Sequence, residues 1–492
     1  QGADAGLAAT VRSVADGFGV PLGAQLAPVV RQWRGANGVL ATDWQMSSTQ
    51  AFAVRAALAS WDEKAPFLGA EGASSAQTTL AGRDLSAVAS LASAGEKFAN
   101  EARAGVSMAR RVWDGPSTPA TVLSEPGIGF GGHPTLPGAF RTVQFELADA
   151  VQVAAASHRI KVGGAFRLVD YSQTYAFGSV PIAYYSGLDG FADDRGAYFG
   201  LQNAPAAVSF TVAEPRLFVQ DTWSIAPEVD LIVGITFDAQ RFPTDLISAN
   251  TSWITLSGIS NATVPRDRKG AGGRGGFVWN VRNAGTTVVR GGAGLYPDRL
   301  DPSVMAEVVT SNGGLGVNRA FGDVGQWPEV DNTTVTASRL TLFSDTYRAP
   351  RSFRLDGGLT QAVGTSGSVT FSGLFNHSDF LLRRVDLNRL PRSVANTTED
   401  RPVYATLAKE DALVGPVPGS GRRFAAFDHV FGLAPTGYAD YYELTARLDQ
   451  RLSQGLAFDA SYTWSRTRDN VVGRLSPDPA DRLSPFPEGI DG

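Results

Sequence analysis

Residues 456–467 read Leu-Ala-Phe-Asp-Ala-Ser-Tyr-Thr-Trp-Ser-Arg-Thr, and this stretch decides the fold class. Leu456, Phe458, Ala460, Tyr462 and Trp464 fall on one parity; Ala457, Asp459, Ser461, Thr463 and Ser465 fall on the other. A period of two describes a strand with one apolar and one polar face. The same alternation returns at 230–238, where Leu231, Val233, Ile235 and Phe237 share a face, and at 441–452, through Leu444, Ala446 and Leu448. Phe52, Val54, Ala56 and Leu58 form another such face, as do Ile160, Val162, Phe166 and Leu168. Past the first thirty residues a helical period fails almost everywhere.

The spacing between these runs carries more information than the runs. Seven hairpins turn near 48–50, 94–96, 156–158, 225–229, 283–285, 363–366 and 453–455, with turn residues such as Asn283-Ala284-Gly285 and Gln454-Gly455. Between hairpins lie long connections near 62–77, 114–138, 172–215, 242–273, 298–350 and 377–440, rich in Gly, Pro, Asn and Asp. Soluble sandwiches do not alternate very short turns with very long loops in this way. Outer-membrane barrels do, because closure pairs every backbone amide in hydrocarbon and leaves the loops on one side free to grow. The expectation is an all-β, antiparallel transmembrane β-barrel, with apolar faces toward lipid and polar faces toward a lumen.

Composition agrees. Of 492 residues 55 are Gly, aromatics make up 10%, and charged residues only 18%, against roughly 25% in soluble domains. Five of the 43 basic residues are Lys and the net charge is −5, so no basic stripe invites nucleic acid. Mean hydropathy of −0.07 suits a barrel as well as a soluble chain, since only alternate residues meet lipid. The absence of cysteine removes disulfides, thiolate metal sites and thiol nucleophiles. The expected division is 1–37 as a truncated loop segment, 38–470 as a partial barrel of about fourteen strands, and 471–492 as a truncated extracellular loop segment.

Five motifs then share an order. Phe218-Val-Gln-Asp-Thr-Trp223, followed by Pro227 and a strand ending Phe237-Asp238, resembles a hairpin of TonB-dependent outer-membrane receptors, in particular the Oar-like group. His158-Arg-Ile-Lys-Val-Gly-Gly-Ala-Phe-Arg167, Val289-Arg-Gly-Gly-Ala-Gly-Leu-Tyr296, Phe380-Leu-Leu-Arg-Arg-Val-Asp-Leu-Asn388 and Tyr462-Thr-Trp-Ser-Arg-Thr-Arg-Asp469 resemble further strands of that family. The resemblance covers roughly 139–470, with a looser fit over 38–113. It implies a 22-stranded barrel filled by an N-terminal plug that is not visible in this chain. It also implies import of a large or scarce substrate, bound at extracellular loops and driven through the TonB system. The partners it implies are outer-membrane lipid or lipopolysaccharide, TonB through the missing plug region, and an unknown extracellular ligand. The alternative is a passive or structural barrel, porin-like or adhesin-like; a soluble carbohydrate-active enzyme is a third reading, opposed by a lipid-facing band free of charge.

No motif asks for chemistry. Gly127-Ile-Gly-Phe-Gly-Gly132 satisfies G-x-G-x-x-G but sits between Pro126 and His133-Pro134 in a long loop, without the strand and helix a dinucleotide site needs. Asp189, Asp193 and Asp194 offer carboxylates to calcium at a spacing that matches no EF-hand, so solvated loop acids are the expectation. His133, His158, His377 and His429 are scattered, with no zinc pair, and His158 reads as a surface residue of the periplasmic rim. Inward acids Asp230, Asp238, Glu443, Asp449 and Asp459 are expected to be hydrated or paired with arginines such as Arg447 and Arg451. No catalytic residue, cofactor or metal is expected, and the ligand-binding residues are unknown. The loop aromatics Tyr184, Tyr185, Phe191, Tyr198, Phe424, Phe427 and Phe431 suit either ligand capture or self-packing, the second being favoured.

Overall fold

The computed structural model describes residues 5–17, 30–64, 78–115, 120–125, 127–132, 138–175, 180–202, 206–266, 270–281, 285–323, 337–388, 394–395, 402–403, 422–451 and 455–471. Fourteen long strands form one continuous antiparallel wall among these residues. In chain order they are β1 (Gln32–Gln45), β2 (Gln50–Lys64), β3 (Thr79–Ala94), β4 (Phe98–Asp114), β5 (Gly138–Ala155), β6 (His158–Tyr175) and β7 (Ala206–Ala226). They continue with β8 (Val229–Asp238), β9 (Ala271–Asn280), β10 (Thr287–Pro297), β11 (Arg351–Val363), β12 (Gly367–Asp386), β13 (Phe427–Arg451) and β14 (Ala457–Asp469). Each pairs with its neighbour in sequence, and all seven expected hairpins are present. Among the described residues β1 and β14 pair on one side only, and both are exposed along their whole length.

The period of two translates directly into faces. On β7, Leu217, Val219, Trp223 and Ile225 point outward and are exposed, while Val208, Phe210, Val212 and Glu214 point inward and are buried. Phe145 and Leu147 on β5, Phe166 on β6, and Val233, Ile235 and Phe237 on β8 join the outward face through register. That face is the apolar band a bilayer requires. Acids interrupt it. Asp170 of β6 points outward opposite Val143 and pairs with Arg141 at 3.2 Å. Asp149 on β5 also points outward, where Asn100 of β4 donates its side-chain amide to it at 2.7 Å, so the expected charge-free band has exceptions.

Unbroken register also settles the tryptophans. Trp44 and Trp464 face outward, as parity requires. Trp61 and Trp113 face inward, because the register from β2 to β4 runs without a bulge. Trp61 lies across Gly82 of the next strand, where a Cβ would meet the indole at 2.3 Å, so only glycine fits. The Arg111 guanidinium covers the indole at 5.4 Å and pairs with Asp84 at 2.8 Å.

The first segment is corrected. Ala5–Gly17 forms a helix, α1, rather than a loop, with Val11 and Ala15 buried one turn apart on one face, and β1 begins at Gln32. Residues 472–492 lie outside the described residues.

The tight turn between β5 and β6 holds Ala156 at φ 51°, a left-handed conformation in which Cβ crowds the backbone. Replacing Ala156 by Gly is expected to stabilise the barrel by about 0.5–1 kcal/mol, because glycine adopts that conformation freely. A higher urea midpoint in detergent micelles would show it; an unchanged or lower midpoint would refute it.

Candidate functional site: inner wall and outer loops

The connections expected as plain loops carry structure of their own. Short strands at Ala120–Leu123, Ile128–Phe130, Ile182–Tyr185, Arg195–Gln202, Asn312–Asp323 and Ala337–Phe343 zip edge to edge. Two of the joints are parallel, Ala120–Leu123 beside Ile182–Tyr185 and Ala337–Phe343 beside the outer end of β13. The second joint ties this outer sheet to the wall, so segments from three long connections become one hydrogen-bonded platform.

Three further helices complete it: α2 (Leu188–Ala192), α3 (Thr251–Ser257) and α4 (Pro302–Thr310). Helix α4 starts where its sequence says it should, with Asp301 accepting from the Ser303 amide at 2.8 Å and Pro302 in the first turn. Its Met305, Ala306 and Val308 pack on the inward Val169, Tyr171, Val208, Phe210 and Val212 of β6 and β7, alongside Ile247 and Leu300. Helix α3 is capped by Asn250, which accepts from the Trp253 amide at 2.9 Å, and ends on Gly258 at φ 74°. Trp253 is buried among Leu340, Leu342, Phe427 and Val430.

Buried charge locks these loops to the wall. Arg299, just before α4, bridges Glu214 of β7 at 3.0 Å and Asp238 of β8 at 2.8 Å. Arg167 also pairs with Glu214 and Arg216 with Asp238, while Gln240 donates to Glu214 at 2.9 Å. On the other flank Arg384 of β12 pairs with Glu307 of α4. Burial pushes the Glu307 carboxyl above its ordinary value against the opposing pull of Arg384 and Arg339. Arg422 pairs with Asp386, and the ring of His429 bonds Asp386 at 3.0 Å, closing the outer ends of β12 and β13.

The loop aromatics mostly serve this packing. Tyr185 and Phe191 are buried and contact each other at 5.1 Å, with Phe130 against Phe191 at 5.6 Å. Phe424 and Phe427 stand edge-on to Trp253, and Phe431 stacks on His429 at 5.2 Å. Tyr184 alone of those described in full is an exposed aromatic on the platform. Tyr198 lies in its strand, with no side-chain surroundings described.

The acids are likewise dispersed. Asp194 is buried and accepts from the Tyr185 hydroxyl at 2.6 Å, whereas Asp189 and Asp193 are exposed on α2 and its C-cap. Burial, then that bond, raises the Tyr185 phenol far above its usual range. No three metal-ligating side chains converge among the described residues. Gly127-Gly132 spans a three-residue strand, Ile128–Phe130, between two glycines at φ 84°; Pro126 and His133 lie outside the described residues. His158 sits at the short-turn rim, facing outward, bonded to Asp221 at 2.6 Å and stacked on Trp223 at 5.4 Å. His377 bonds Asp440 and Asp379 at the opposite, long-loop end of the wall.

Below the loops the inner wall is polar and mostly self-paired: Arg55 with Asp43, Arg103 with Glu101, Arg447 with Asp449, Glu443 with Tyr441 and Asp230 with Ser224. Such half-exposed pairs neutralise a wet lumen and add little stability.

A family model described as outer membrane beta barrel domain matches residues 31–481. Among solved structures the chain is similar to the outer membrane transporter YddB from Escherichia coli, with TM-score 0.60 and 9% identity, over 89% of this chain and 49% of that one. It is also similar to the FrpB iron transporter from Neisseria meningitidis, with TM-score 0.50 and 10% identity, over 89% of this chain and 53% of that one. The chain therefore spans about half the length of these structures. A search of curated proteins finds no match.

Proposed function

We propose, from the premise that this chain belongs to the outer membrane beta barrel domain family, that it is the barrel portion of an energised importer. Its place is the bacterial outer membrane. In this reading residues 38–470 form part of a 22-stranded barrel of the TonB-dependent, Oar-like kind. The outer loops capture a large or scarce substrate, and a plug driven from the inner membrane admits it to the periplasm.

The observation that carries the reading is the width of the wall. About eight strands make a lumen that side chains can fill, whereas 22-stranded transporters hold a plug. Fourteen strands already exceed the first case, and their inner face is polar. The likeness to two transporters, one of them an iron transporter, supports the same reading. The loop platform supports it too, because a rigid, hydrogen-bonded mouth can present a binding surface before any plug moves.

Planar-bilayer recording of the complete protein in concentrated KCl tests it. A plugged importer gives no steady conductance. Stable open-channel steps would overturn the proposal in favour of a passive pore.

A further inference from the structure

The outer rim of the wall carries one row of side chains that no transport role uses. Arg83 of β3 stands directly opposite Arg110 of β4, and Arg110 directly opposite Arg141 of β5. The row continues without a register shift into Ser172 of β6 and Ser209 of β7, and on its other side into Ser60 of β2. All share the parity of the lipid-facing Leu85, Val106, Phe145 and Phe166, so the row faces outward. It lies two positions beyond Leu85, Met108 and Val143, toward the long loops, where hydrocarbon gives way to headgroups.

Three like charges abreast repel one another unless something anionic lies between them. Arg141 has a partner in Asp170 at 3.2 Å. Among the described residues no carboxylate pairs with the guanidinium of Arg83 or Arg110, and both side chains are exposed. The rim of β11–β13 is built differently: His377 lies between Asp379 and Asp440, and Arg351 pairs with Asp379. That flank neutralises itself, whereas on the β3–β5 flank only Arg141 is paired and Arg83 and Arg110 have no carboxylate partner among the described residues.

Two depressions complete the pattern. An open groove of about 440 Å³ is lined by Arg110, Ala139, Arg141, Ser172, Thr174 and Ser209, so guanidinium and hydroxyl donors share one concavity. Six residues further along the same strands lies a wider, mostly apolar depression of about 710 Å³, lined by Ala89, Ala104, Leu147, Phe166 and Leu217, with Asp149 at its edge held by Asn100. Six residues of strand are roughly 20 Å, or about 15 Å of depth at a barrel's usual tilt, close to one leaflet of a bilayer.

We propose that the Arg83–Arg110–Arg141 row and its flanking serines bind the phosphate of an outer-leaflet lipid, whose acyl chain lies in the apolar depression below. Guanidinium forks match phosphate oxygens in pairs, and hydroxyls donate to those left over. The occupant is a phosphorylated lipid rather than free phosphate, because the anion groove and the acyl groove are aligned on the same strands at the spacing of one leaflet.

The test uses the complete protein in detergent micelles, with bisphosphorylated lipid A, the same lipid stripped of phosphate, and inorganic phosphate as probes. Lipid A should bind. The stripped lipid, and lipid A with the Arg83→Gln/Arg110→Gln variant, should bind about tenfold more weakly, the loss of one such charge-assisted contact or more. Arg466→Gln/Arg468→Gln, outward on β14, should leave binding unchanged, and each variant should keep the heat-dependent gel shift of a folded barrel. Equal affinity for lipid with and without phosphate, or equal affinity of the Arg83/Arg110 variant, would overturn the proposal. Competition by inorganic phosphate at equal concentration would overturn the lipid assignment and leave a simple anion site.

Discussion

Replacing Arg299 by Met should release helix α4 and its flanking loop from the wall while leaving the barrel folded. Arg299 is the only side chain that touches both Glu214 and Asp238 among the described contacts, and those carboxylates are 3% and 10% exposed. Taking one partner from a buried ionic cluster leaves charge uncompensated and costs about 3–5 kcal/mol; Arg167, Arg216 and Gln240 remain to hold the carboxylates, so the lower end, about 3 kcal/mol, is expected. Amides of 298–310 should then exchange roughly a hundredfold faster, while those of β3–β6 stay protected. Adding Glu214→Gln to the variant should restore part of the protection, since the orphaned charge goes with it. Arg447→Gln, which removes a half-exposed pair with Asp449, should change nothing measurable. Unchanged exchange in 298–310 after Arg299→Met would show that apolar packing of Met305 and Val308 alone seats the loop.

The wall was legible because its signals are local. Each strand carries its own alternation, each short turn its own residues, and Leu231, Val233, Ile235 and Phe237 share a face whatever lies elsewhere. The parity of Trp61 and Trp113 could be read the same way, and register upheld it. The outer sheet was not legible because nothing local specifies it. Its members Ala120–Leu123 and Ile128–Phe130 are too short to show a period, and its parallel joints link segments some sixty or more residues apart. Helices α3 and α4 were within reach: Asn250 and Asp301-Pro302 are start signals that the loops' Gly and Pro content obscured. The arginine row is a third case. Arg83, Arg110 and Arg141 are far apart in sequence, and only hairpin register sets them abreast. The self-packing of Tyr185, Phe191 and Phe427 follows from composition, since buried rings are the densest apolar material a loop can offer.

Trp253 shows how much of the platform rests on one such ring. It is 1% exposed and meets Phe424 and Phe427 edge-on at 5.6 and 5.5 Å, with Leu340, Leu342 and Val430 completing the cluster. Apart from Phe424, which precedes β13, these neighbours come from the strand Ala337–Phe343 and the outer end of β13, the two elements whose parallel pairing fastens the outer sheet to the wall. Trp253→Ala should therefore cost about 3–5 kcal/mol of local stability and expose the 337–343 segment to protease, because the cavity opens at the joint itself. Trp253→Phe should cost much less. The indole Nε1 is buried without a hydrogen-bond partner, so phenylalanine gives up volume but also removes a polar group that the site leaves unsatisfied. Limited proteolysis of the folded protein in micelles separates the two variants. Rapid cleavage within 337–343 for Ala, and near-native resistance for Phe, is the expected pair of results. Equal resistance of Ala and the parent would mean that the backbone ladder, not the ring cluster, holds the platform. Equal fragility of Phe and Ala would mean that the indole's full width is what the joint requires.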